Sequence, residues 1–139
     1  MKEALKVFVG AKTNEKGGVC AADTDELLLM AKEAQEQGFV VACSLDHTHQ
    51  MIKTQAAKVV EVHGATTGDC VAKTVGCAIE AGAQIVVVPL IECRYGTQDH
   101  ARHNLHQREI GVRWITLKKA LGVLAEDPRI QITSPIEIK

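Results

Sequence analysis

The sequence predicts a single-domain, three-layer α/β/α fold over residues 1–139, with a mainly parallel sheet of about four to five strands. Three observations predict it. The short apolar runs LKVFV, FVVAC, VVEV and IVVVP are rich in β-branched residues, as strands buried on both faces are. Segments with apolar residues at helical spacing stand between them. The chain has 139 residues, 46% apolar and 24% charged, which suits one domain with a core of its own.

Leu5 to Val9 is the first expected strand, closed by Gly10. Ala11 to Ala22 reads as a loop, with Asn14 and the Gly17-Gly18 pair as breakers. Its Lys12 suits an anion and equally suits a surface loop. Asp23-Thr24-Asp25 opens a helix, its carboxylates at the positive end of the dipole. Leu27, Leu28, Met30, Ala31 and Ala34 share a face of that helix, and Gly38 ends it. Phe39 to Cys43 is a second strand, Ser44 to Gln50 is polar and ambiguous, and Met51 to Lys58 suits a short helix. Val59 to Val62 is a strand and His63 to Asp69 a small-residue turn. Cys70 to Ala81 is helical, with Val71, Val75, Ala78 and Ile79 at the right spacing. The run Ile85 to Leu90 is a core strand. A helix from about His100 to Ile110 and a strand from Val112 to Leu117 follow. The tail from Leu121 holds Pro128 and Pro135 and alternates at Ile136 to Ile138, as an edge strand or a partner contact does.

Composition excludes several function classes. Net charge is −1, acidic and basic residues are interspersed, and aromatics are few, so no nucleic-acid partner is expected. No stretch approaches the roughly 20 apolar residues of a membrane span. MKEALKVFVGAK lacks the apolar centre of a signal peptide. Five cysteines without a CxxC pair fit reduced thiols in a cytoplasmic protein.

The richest chemical stretch follows the Ile85–Leu90 strand, where α/β sheets collect their sites. His100 and His103 lie three apart, so on a helix they share a face. Imidazoles at that spacing suit cobalt, nickel, iron or zinc, and also serve as bases near neutral pH. A solvated polar helix face is the alternative. Asp46-His47-Thr48-His49 offers two imidazoles and a carboxylate; on a strand both histidines would point one way, and a solvated loop is the alternative. Gly64-Ala65-Thr66-Thr67-Gly68, between a strand and a helix, suits a phosphate or carboxylate at a helix N-terminus; it also suits a tight turn with Thr67 or Asp69 as helix cap. Glu92 and Arg94 occupy alternate positions at a strand end.

The stretch CVAKTVGCAIEAGAQIVVVPLIECRYGTQDHARHNL, followed by GVRWITLKKALGVLAEDPRI, resembles the small sirohydrochlorin chelatases of the class II chelatase superfamily. The resemblance covers Val59 to Ile130. It implies insertion of a divalent metal, cobalt, nickel or iron, into an anionic tetrapyrrole, with the metal as substrate and no organic cofactor. It also implies a homodimer. His100 then takes the catalytic role, and His47 or His49 stands in for the family's missing histidine; His103 and His47 are further metal candidates, and Lys12, Gly64, Thr66, Thr67 and Arg94 are substrate-binding candidates. The chain departs from that family in having Gly10-Ala11-Lys12, with no histidine, after its first strand. The family's aspartate is Asn104 here, and Gly38 to Gln55 reads as an insertion. LDHTHQMI and GATTGD also resemble methylglyoxal synthases, which implies a phosphate-elimination lyase with the Thr-Gly loop on the phosphate. The Gly-Pro-Gly-Gly-Asp-Gln segment of that family is absent. A non-catalytic binding or assembly domain is the third expectation.

Overall fold

The computed structural model of the chain describes residues 4–23, 25–64, 70–89 and 117–133. The β-branched runs become a five-stranded, fully parallel sheet. Its strands are β1 (Ala4–Val9), β4 (Val40–Ala42), β5 (Val59–Gly64), β6 (Ile85–Pro89) and β7 (Ile130–Thr133), in the order β4-β1-β5-β6-β7. The register is set by the two central strands: Leu5 pairs with both Val40 and Val60, and Phe8 with His63.

Alternation along these strands divides the interior. Leu5, Val7, Val60, Val62, Val86 and Val88 face one side, where helices α2 (Leu45–Gln55) and α3 (Ala72–Glu80) cover them. Phe8 and Val41 face the other, under Leu27, Ala31 and Ala34 of helix α1 (Asp25–Glu36). The chain runs from β1 outward to β4, then reverses across β1 to β5. Right-handed crossovers place helices made before and after such a reversal on opposite faces, which gives the three layers.

The stretch Ala11 to Ala22, expected as a loop around Lys12, is instead a two-stranded antiparallel ribbon, β2 (Ala11–Thr13) and β3 (Val19–Ala22). Two amide side chains explain it. Asn14 Oδ1 accepts from the backbone N–H groups of Lys16 and Gly18 and closes the tip. Gln35 on α1 accepts from Val19 N at 3.0 Å and donates to Gly17 O at 2.8 Å, which fastens the ribbon to the helix.

Three further expectations change. The polar stretch at Ser44 is the start of α2, with Ser44 as N-cap (φ −141°, ψ 163°). Strand β5 runs on through His63 and Gly64, which were expected in a turn. Leu117 is helical rather than the end of a strand, and the expected tail contains a 3-10 helix (Gly122–Glu126) and β7. Before β7, Arg129 donates to Asp127 through its backbone N, Nε and Nη2, so Asp-Pro-Arg is a fastened turn. That guanidinium holds the Asp127 carboxyl at about 2, below the usual carboxylate range. The expected helix after His100 and the alternating Ile136–Ile138 lie outside the described residues. Among the described residues no helix is long and apolar enough to cross a membrane.

Candidate functional site

Ligands of open parallel sheets sit beyond the carboxyl ends of the strands, where the winding direction reverses. Here that place is the end of β1, with β4 leaving on one side and β5 on the other. A cavity of about 240 Å³ lies beside it, lined by Val7, Val9, Cys43, Ser44, Leu45, Cys70, Lys73 and Thr74. Three elements form it: the end of β1, the β4-to-α2 junction, and the start of α3.

Burial divides the lining into floor and rim. Val7 is 1% exposed and lies deepest, with Val9 half-buried beside it. Ser44, Leu45, Cys70 and Lys73 are exposed at the rim. Thr74 is buried, and its hydroxyl donates to Cys70 O at 2.8 Å.

The polar groups at the rim include a hydroxyl and an ammonium. Ser44 Oγ accepts from His47 N at 3.1 Å and keeps an O–H proton to donate. The first-turn N–H groups of α2, at Leu45 and Asp46, have no acceptor within the helix by its geometry. Lys73 adds an ammonium. Neither imidazole nor carboxylate is among these lining residues. Burial, and then Cys20, push the Cys43 thiol up to about 11, so that wall is neutral at physiological pH.

The two helices flanking the cavity are fastened together. Cys77 Sγ on α3 lies 3.6 Å from Leu45 O and 3.7 Å from His49 Nδ1, both on α2. Burial, with Glu80 and Asp46 nearby, raises the Cys77 thiol above its ordinary value. This pairing is therefore a protonated thiol between helices, not an activated nucleophile.

Gly64 ends β5 where β1 and α3 close together: a Cβ there would lie 2.8 Å from Val71 Cγ2 and 2.9 Å from Val9 Cβ. It borders the cavity wall at Val9 and carries the chain towards Thr66 and Thr67, which lie outside the described residues. Lys12 is exposed on the ribbon, opposite Ala21, and does not line the cavity. His47 and His49 stand two apart on α2, so they do not share a face as they would on a strand; His49 is turned to Cys77. His100, His103 and Arg94 lie outside the described residues. Among the described residues no three ligating side chains converge on a metal position.

Sequence reasoning passed over Ser44 and Lys73. The signal for Ser44 was its place three residues before His47, at the head of a run with apolar positions at Leu45 and Ile52. Lys73 gave no local signal, because a lysine one turn into a helix is ordinary. Comparison with family models, curated proteins and solved structures found no match.

Proposed function

We propose that this chain is a small-molecule-binding α/β domain whose ligand is an organic anion held at the carboxyl edge of the sheet. One observation carries the reading: an apolar cavity at the carboxyl end of β1 is bordered by Ser44 and Lys73, at the starts of two helices. A hydroxyl, an ammonium and the starts of two helices at the mouth of an apolar cavity suit a ligand with hydrogen-bond acceptors, and the helix dipole adds to that preference. Among the described lining residues none is an imidazole or a carboxylate.

The test is a titration with simple carboxylates and phosphates, followed by amide chemical shifts. Shifts clustered at Val9, Leu45 and Lys73, weakened in Lys73→Gln, are the expected outcome. Saturation that leaves those amides unmoved overturns the reading.

The expectation of metal insertion rests chiefly on His100, with His103, His47, Lys12, Gly64 and Arg94 beside it, and the phosphate-lyase expectation on the loop with Thr66 and Thr67. Neither draws on the described lining. A cobalt titration with tetrapyrrole absorbance, on the parent and on His100→Ala, addresses the first. Turnover of dihydroxyacetone phosphate addresses the second.

A further inference from the structure

Outside the cavity, the contact between α2 and α3 gathers the side chains of metal chemistry. Cys77 Sγ and His49 Nδ1 lie 3.7 Å apart, and both residues are half-buried. Bonds of about 2.3 Å to sulfur and about 2.0 Å to imidazole, at the tetrahedral angle, set the two ligand atoms of one zinc ion about 3.5 Å apart. The pair therefore already has nearly the spacing of two ligands on one ion. Each helix adds a carboxylate. Asp46 precedes His49 by three residues on α2, and Glu80 follows Cys77 by three on α3, a spacing that shares a helix face. Both carboxylates lie close enough to act electrostatically on the Cys77 thiol. Two carboxylates beside a thiol and an imidazole make a locus of negative potential that suits a cation.

We propose that Cys77, His49, Asp46 and Glu80 form a site for a zinc-class divalent transition metal, which fastens α2 to α3. Two of the ligands are in place. The carboxylates have not closed on them, since among the described residues no three ligating side chains converge. Asp46 and Glu80 are exposed, so rotation of their side chains completes the tetrahedron without moving either helix. The thiol proton passes to solvent as the sulfur–metal bond forms, and His49 binds through Nδ1 with its proton on Nε2. Leu45 O, 3.6 Å from the thiol, keeps the helical N–H of His49 when the thiol leaves it. Sulfur and imidazole select zinc or cobalt(II) over magnesium and calcium. None of the four residues lines the cavity, so this site stands apart from the anion-binding reading.

Cobalt(II) added to the whole, reduced chain tests this. The expected result is a thiolate-to-cobalt charge-transfer band with the strong visible bands of tetrahedral cobalt, displaced by zinc and not by magnesium. Cys77→Ser should abolish the charge-transfer band. Cys77→Ser and His49→Gln should each weaken binding about hundredfold, and Asp46→Asn and Glu80→Gln about tenfold each. Cys43→Ser and His100→Ala should bind as the parent does. Zinc should raise the melting temperature of the parent and leave that of Cys77→Ser unmoved. The dispersion of each variant's amide spectrum shows that it is folded. A charge-transfer band that survives Cys77→Ser, or tetrahedral bands that survive His49→Gln, would put the metal elsewhere and overturn the site. So would unchanged affinity in both carboxylate variants, or no cobalt band in the parent.

Discussion

Glu61 and His63 stand on one face of β5, with Oε1 of the first 3.4 Å from Nε2 of the second. Lys6 on the neighbouring strand reaches the same carboxylate, its Nζ 3.3 Å from Oε2, while lying over the Phe39 ring. The imidazole itself is stacked on Phe8, centroids 4.7 Å apart and planes within 7°. His63, and then Lys6, hold the Glu61 carboxyl at about 2, against burial, from an ordinary value of 4.5. A depressed carboxyl stabilises the fold above its unfolded value, and that stability drains away as pH falls from about 4.5 through about 2. Glu61 is partly exposed, so solvent reduces the contribution to about 1–2 kcal/mol. Urea denaturation at pH 7 and pH 3 should therefore show Glu61→Gln losing less stability on acidification than the parent. Equal losses in the two proteins would contradict the assignment.

Gly64 has no room for a side chain. The Cβ of Gly64→Ala would press on Val71 and Val9 from both sides, closer than such atoms approach in folded proteins. A loss of about 1–3 kcal/mol is expected in denaturant melts, the scale of overpacking. The same substitution should weaken ligand binding, because Val9 is part of the cavity floor. A Gly64→Ala protein as stable as the parent would mean that β5 and α3 have freedom to part.

Helix α2 ends on Ala56 in the left-handed region, at φ 50° and ψ 41°, with its N–H directed to the Ile52 and Lys53 carbonyls. A Cβ is strained there and glycine is not. Ala56→Gly should raise stability by about 0.5–1 kcal/mol, after the added freedom of the unfolded chain is subtracted. Thermal and urea unfolding check it. A decrease would show that the cap is held by something other than backbone strain.

The thiols should separate by reactivity. Cys43 is half-buried and its thiol sits near 11, so little thiolate exists at pH 8. Cys20 and Cys70 are exposed. Timed iodoacetamide labelling with peptide mapping should find both modified well before Cys43. Early modification of Cys43 would show that the cavity opens more readily than its packing implies.

The parallel core was readable because its residues say one thing at every level. LKVFV, VVEV and IVVVP are short β-branched runs, buried on the face under α2 and α3 and mostly half-buried on the other, which suits strands of a covered parallel sheet. Helix α1 was equally plain, from its acidic start to Gly38. The ribbon was not, because its pairing depends on Gln35, distant in sequence, and on a side-chain turn at Asn14. Helix α2 was obscured by its buried Thr48, a polar residue on the core face whose hydroxyl is satisfied by Ser44 O at 2.7 Å. Strand β7 was hidden behind Pro128, although the Asp127–Arg129 clasp turns the chain and Ile130 packs on the core. The cavity could not be read at all, since Val9, Ser44 and Lys73 meet only once β1, α2 and α3 are placed.

The position of β1 has a consequence for how the chain acquires this shape. The strand lies between β4 and β5, so both of its ladders close over long stretches of sequence. As the chain leaves the ribosome, LKVFV emerges well before either partner and waits with two open edges. Such a segment is sticky in transit, and pairing across long loops is slow. Lys6 in the middle of the run then acts before folding as well as after it: a charge that keeps the waiting strand from joining another copy of itself.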